Sequence, residues 1–95
     1  MKLRSIRHKG LRRLVAQDDP AGLPAAQSAK IAAIMAFLQA APGIEAIQRL
    51  QAWKAHQLTG DRKGTWSLSV SKNWRITFRV NNDAEIIDLD FEDYH

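Results

Sequence analysis

Trp66-Ser67-Leu68-Ser69-Val70 and, after a three-residue gap, Trp74-Arg75-Ile76-Thr77-Phe78-Arg79-Val80 decide the fold. In both runs large apolar residues alternate with Ser, Thr or Arg, the period of two that sends one set of side chains into a core and the other outward. Ser71-Lys72-Asn73 between them suits a tight hairpin turn. Asn81-Asn82-Asp83 suits another, because Asn and Asp tolerate positive φ and bond their own backbone. Ile87, Leu89 and Phe91 then supply a third inward face, while Asp88, Asp90 and Glu92 point the other way. The expectation is a three-stranded antiparallel meander, with His56-Gln57-Leu58 and a short edge strand over residues 2–7 as candidates to widen it.

Upstream the period changes. Lys9 to Ala16 predicts a short helix closed by the Asp18-Asp19-Pro20 turn signal. From Pro24 to about Gln39, Ile31, Ile34, Met35 and Leu38 fall at i, i+3, i+4 and i+7, one apolar stripe on a helix stopped by Pro42-Gly43. Ile44, Ile47 and Leu50 repeat at helical spacing and predict a further short helix before Trp53. Helices first and strands afterwards imply an α+β fold, with the N-terminal helices packed on one face of a small antiparallel sheet. Its opposite face is left free for chemistry. At 95 residues the chain reads as one domain, 1–95, with a single core. Trp66 and Trp74 are in phase with Leu68 and Ile76, so they are expected in that core, and Trp53 with them, rather than stacked on bases.

With 45 % hydrophobic and 25 % charged residues, composition excludes disordered and fibrous classes. There is no cysteine, which rules out a disulfide framework or a thiolate metal site and favours a reducing compartment. The longest apolar stretch, Ile31 to Leu38, is far below the roughly 20 residues that span a bilayer. No apolar segment follows the basic start, so a cytoplasmic protein with no membrane partner is expected. His8, His56, His95 and Asp93 lack ligand-type spacing, and neither a metal nor another cofactor is expected. Residues 1–60 carry nine Lys/Arg against three Asp/Glu, and the remainder five against seven. A cationic front half suits an anionic partner such as RNA, DNA or an acidic protein, with Lys2 to Arg13 the strongest run.

On the uncovered face, alternation collects Arg75, Thr77 and Arg79 beside Asp88, Asp90 and Glu92. Opposite charges on adjacent strands also pair with one another, at about 0.2–1 kcal/mol each, which is the purely structural use of these residues. Arg75 differs, because the turn before it and the strand after it hold its guanidinium, a planar fork suited to a phosphate. Tyr94 falls on the face of Glu92. Asp93-Tyr94-His95 sets a carboxylate, a phenol and an imidazole directly after an apolar run. Such groups add little to a core, and imidazole is the side chain whose ordinary pKa lies nearest neutrality.

Gly60-Asp61-Arg62-Lys63-Gly64-Thr65-Trp66-Ser67-Leu68-Ser69-Val70, then Asn73-Trp74-Arg75-Ile76-Thr77-Phe78, and finally Asp93-Tyr94-His95 resemble the HigB-type toxins of the RelE/ParE superfamily. In these a Gly-x-x-x-Gly loop, a Trp-Arg strand and an Asp-Tyr-His ending recur in that order. The resemblance implies a compact α+β ribonuclease that cuts messenger RNA on the ribosome without a metal. It also implies a helix-turn-helix antitoxin of HigA type, through which the complex reaches operator DNA. Carried over, it assigns catalytic or phosphate-contacting roles to Arg75, Asp93, Tyr94 and His95. His56 is a further catalytic candidate, and Lys54, Arg62 and Lys63 would supply charge to the substrate backbone. Metal-free RNA cleavage needs a base for the ribose 2′-OH, an acid for the leaving 5′-oxygen and cations for the phosphate. His95 fits base or acid, Tyr94 orients the nucleophile or stacks on a base, Arg75 holds the scissile phosphate, and Asp93 orients His95. The alternative is a non-catalytic member of the superfamily that poisons DNA gyrase, or a nucleic-acid-binding adaptor.

Overall fold

The computed structural model describes residues 1–94; the His95 expectation lies outside the described residues. Three helices, α1 (Lys9–Gln17), α2 (Ser28–Ala40) and α3 (Ile44–Gln48), precede four strands, β1 (His56–Gln57), β2 (Trp66–Ser69), β3 (Trp74–Val80) and β4 (Ile86–Asp93). The strands form one antiparallel sheet in the order β1-β2-β3-β4. This is the expected α+β architecture, with the meander widened by β1. The N-terminal edge segment is present too. It runs parallel to β4 through bridges Leu3 to Ile86 and Ile6 to Leu89, secured by backbone bonds such as Arg4 N–H to the Ile86 carbonyl at 2.8 Å.

Local chemistry explains the helix ends. His8 caps α1, its Nδ1 accepting from the Gly10 and Leu11 amides at 3.0 and 3.3 Å. Gly10 is needed there, because a Cβ would stand 2.4 Å from the Gly22 carbonyl oxygen of the turn that crosses it. The second helix starts later than its periodicity predicts. Pro24 to Gln27 forms a turn closed by Gln27 N–H to the Pro24 carbonyl, and α2 proper begins at Ser28.

Ile31, Ile34 and Leu38 of α2 are fully buried, as are Leu68, Ile76 and Phe78 of the sheet. Packing these faces together drives the fold, at about 25 cal/mol per Å² of apolar surface removed from water. All three tryptophans serve this core. Trp66 is buried, Trp74 stacks on Phe91 at 4.8 Å, and Trp53 sets its edge to Phe37 at 5.7 Å.

One strand phase departs from expectation. Thr77 pairs with Asp90, but Arg79 pairs with Ile87, so β4 holds one extra residue in this interval. Asp88 adopts φ 54 at that bulge. Ile86, fully buried, therefore takes the inward position expected of Ile87, beside Leu89 and Phe91.

The basic front end stays exposed, but acids of the fold answer most of its charge. Lys2 and Arg4 lie against Glu85, Arg7 against Asp88, and Arg13 against Asp19, while Arg12 donates to the Ile6 and Arg7 carbonyls. No helix among the described residues is long and apolar enough to cross a membrane.

Candidate active site

Directly paired residues of an antiparallel sheet share a face. The register therefore sets His56, Ser67, Thr77 and Asp90 in one row of the open face, and Ser69, Arg75 and Glu92 in the next. Tyr94 continues this face beyond Glu92, its amide donating to the Asn73 carbonyl at 2.9 Å. The Arg75 guanidinium carbon lies 5.0 Å from the centre of the Tyr94 ring, a cation–π contact that fixes both groups. Arginine and phenol, expected on one face, are brought together.

Glu92 ties this pair to a distant loop. Gly60 and Gly64 adopt φ +67 and +91, which L side chains rarely tolerate, and they bracket a turn that carries Arg62 onto the sheet. Arg62 donates both terminal nitrogens to the Glu92 carboxylate, Nη2 at 3.0 Å. Arg75 adds Nε at 3.2 Å and Nη2 at 2.9 Å, and Thr77 Oγ1 donates at 2.8 Å. The Arg62 hydrogen bonds above all, then those of Thr77 and Arg75, outweigh partial burial and hold the Glu92 carboxyl down at about 2. Reciprocally, Glu92 raises the pKa of Arg62. Lys63, the next residue in the loop, is exposed.

His56 is exposed at the sheet edge, and its Nδ1 lies 2.8 Å from the Lys54 carbonyl oxygen. A carbonyl only accepts, so Nδ1 carries the proton and Nε2 of the neutral ring is left with its lone pair. That orientation depends on unusual backbone. Trp53 and Lys54 have φ 58 and 50 without being glycine, a strain of order 1 kcal/mol each that the packing of Trp53 on Phe37 offsets.

Beside Tyr94 lies a shallow depression of about 610 Å³, lined by Lys30, Lys54, Ser69, Ser71, Lys72 and Tyr94. None of the three lysines makes an ion pair among the described residues. Lys54 was expected near substrate. Lys30 and Lys72 were not, since they come from α2 and from the β2–β3 turn and share no spacing with the motif. Asp93 ends β4 in register with Trp74 and so alternates with Tyr94. A second hollow of about 290 Å³ opens over Thr77 and Glu92 and runs on along the face, where Arg7, Arg62 and Arg79 meet Asp61, Asp88 and Asp90. Among the described residues no group of three or more His, Asp or Glu could hold a metal ion. The face thus combines an imidazole oriented by a backbone carbonyl, an arginine fixed on a phenol, and ammonium groups with no ion pair among the described residues, which suits proton transfer beside an anionic polymer.

Residues 4–95 match the profile of the RelE-like toxins of type II toxin–antitoxin system HigB. The chain is 42 % identical over 94 residues to the Endoribonuclease HigB of Proteus vulgaris, covering 98 % of this chain and 99 % of that protein. Among solved structures, a YoeB/ParE toxin from Agrobacterium tumefaciens superposes with TM-score 0.60 at 21 % identity, covering 97 % and 99 % of the two chains. YafQ from E. coli does so with TM-score 0.60 at 11 % identity, covering 99 % and 94 %. At those identities the structural likeness concerns the fold alone.

Proposed function

The chain belongs to the HigB-like toxins of type II toxin–antitoxin systems, and from that premise we propose that it is an endoribonuclease which cuts messenger RNA on the ribosome and so halts translation in the cytoplasm. The observation that carries the reading is the open face itself. Arg75 is held on Tyr94 there, beside Lys30, Lys54 and Lys72, which make no ion pair among the described residues, and His56 stands in the neighbouring row with its Nδ1 engaged by the Lys54 carbonyl.

RNA cleavage without a metal divides among these groups. His56 takes the proton of the 2′-OH through Nε2, or returns one to the leaving 5′-oxygen, and His95 fills the other role. Tyr94 stacks on a base beside the scissile bond or orients the 2′-OH, with Arg75 behind its ring. Arg75 places positive charge where charge develops on the phosphate. Asp93 orients His95. The lysines hold the flanking strand as point charges, with Lys63 and Arg62 contributing at the loop. The partner is a helix-turn-helix antitoxin of HigA type that binds operator DNA.

Primer extension on a message translated by purified ribosomes tests this, comparing the protein with its Arg75→Ala and His95→Gln variants. New 5′ ends that require ribosomes and vanish in both variants are expected. Intact message with the unmodified protein refutes the reading.

A further inference from the structure

The Glu92 carboxylate sits in a nest built for an anion. Two donors from Arg62, two from Arg75 and the Thr77 hydroxyl converge on its two oxygens, more than a surface carboxylate needs. Guanidinium forks read carboxylate and phosphate with the same geometry. The floor of the nest is buried: Thr77 is 1 % exposed, and Ser67, its direct partner across β2 and β3, is 0 % exposed. The Ser67 Oγ makes no hydrogen bond among the described residues. A buried hydroxyl without a partner is costly, and it stands on the one face where an incoming group carrying more oxygens than a carboxylate would use it. The wall, by contrast, can open, since the Arg62 side chain is 43 % exposed and that of Glu92 22 %.

We propose that Arg62, Arg75, Thr77 and Ser67 form a phosphate-binding site that Glu92 occupies in the free protein, and that a phosphodiester of RNA enters by displacing the Glu92 carboxylate. The naming of RNA rests on the ribonuclease reading above. The exchange of phosphate for carboxylate does not, and it can be observed without cleavage. A phosphodiester offers two unesterified oxygens in place of the two of Glu92, so neither guanidinium loses its partner in the exchange. Because the site is competent only while Glu92 is out, apparent affinity is reduced by the fraction of time it is out.

The test is a titration with inorganic phosphate at pH 7, followed by NMR of the arginine Nε–Hε groups and the Glu92 carboxyl carbon. In the unmodified protein, the Arg62, Arg75 and Glu92 signals should move together and saturate, while Arg12 stays still. Glu92→Gln, which keeps the shape and removes the competing charge, should bind phosphate at least about tenfold more tightly. Thr77→Val in that background should lose most of the gain. Signals of Arg62 and Arg75 that ignore phosphate, or a Gln variant that binds no more tightly than its parent, overturn the proposal and make Glu92 a fixed tether. Should Glu92→Gln fail to fold, the response of the Glu92 carboxyl in the unmodified protein decides alone. A phosphate response without RNA cleavage keeps the site and removes the ribonuclease; cleavage without a phosphate response does the reverse.

Discussion

Acid should undo one interaction in this fold before the others, and the amount can be worked out. Glu92→Gln leaves the side-chain shape and removes the charge on which Arg62, Arg75 and Thr77 converge. The carboxyl falls from 4.5 to about 2 in the folded protein. At about 1.4 kcal/mol per tenfold change in proton affinity, that corresponds to about 3 kcal/mol favouring the ionised folded state. Solvent reaches 22 % of this side chain, so screening brings the expected figure to about 2–3 kcal/mol. Because the folded pKa is depressed, this stability is fully present above about pH 4.5 and is lost as pH falls through the window down to about 2. Urea unfolding of both proteins, followed by tryptophan fluorescence, measures the difference. At pH 7 the Gln variant should be less stable by about 2–3 kcal/mol; at pH 3.5 the gap should have shrunk by about 1.4 kcal/mol, and near pH 2 it should vanish. The lowered pKa of Asp19, caused chiefly by the Ala21 amide and then by Arg13, is common to both proteins and cancels. A gap that stays the same from pH 7 to 3.5 would refute the reasoning, since the missing stability would then not come from the charge.

Three further outcomes are expected. Arg75→Ala should cut ribosome-dependent cleavage by about 10²–10³-fold, and Arg75→Lys should not restore it, because an ammonium neither lies flat on Tyr94 nor grips a phosphate as a fork; full activity in the Lys variant counts against a stacked, forked role. His56→Gln should lower cleavage by about 10²–10⁴-fold while the free energy of urea unfolding stays within about 0.5 kcal/mol, as its side chain is exposed; unchanged cleavage would remove His56 from the proton transfers. Ala84, at φ 58 in the exposed β3–β4 turn, should be improved by Gly, with a gain of about 0.5–1 kcal/mol and a Tm rise of about 3–5 °C. A lower Tm would show that this backbone is not strained.

Counting by twos reaches far in this chain and then stops at identifiable points. Alternation is local, so the phases of β2 and β3, and the meeting of Arg75 with Tyr94 on the open face, follow from residue order. The same counting misplaces Ile87 because the bulge at Asp88 rests on a left-handed aspartate, a conformation this residue type permits without announcing. Arg62 meets Glu92 thirty residues along the chain, which the two loop glycines allow but do not spell out. The His56 tautomer is set by a carbonyl that two consecutive left-handed non-glycine residues present, and no residue type marks that turn. Charge shows the same division between amount and place. Composition gives a net +4 with its densest run at Lys2 to Arg13, yet Glu85, Asp88 and Asp19 answer most of that run within the fold. Lys30, Lys54 and Lys72, which make no ion pair among the described residues, come instead from a helix, a strained turn and a hairpin to line the hollow beside Tyr94. A basic stretch therefore shows how much positive charge a chain carries but not which of it the folded acids leave unanswered, since that is decided by packing.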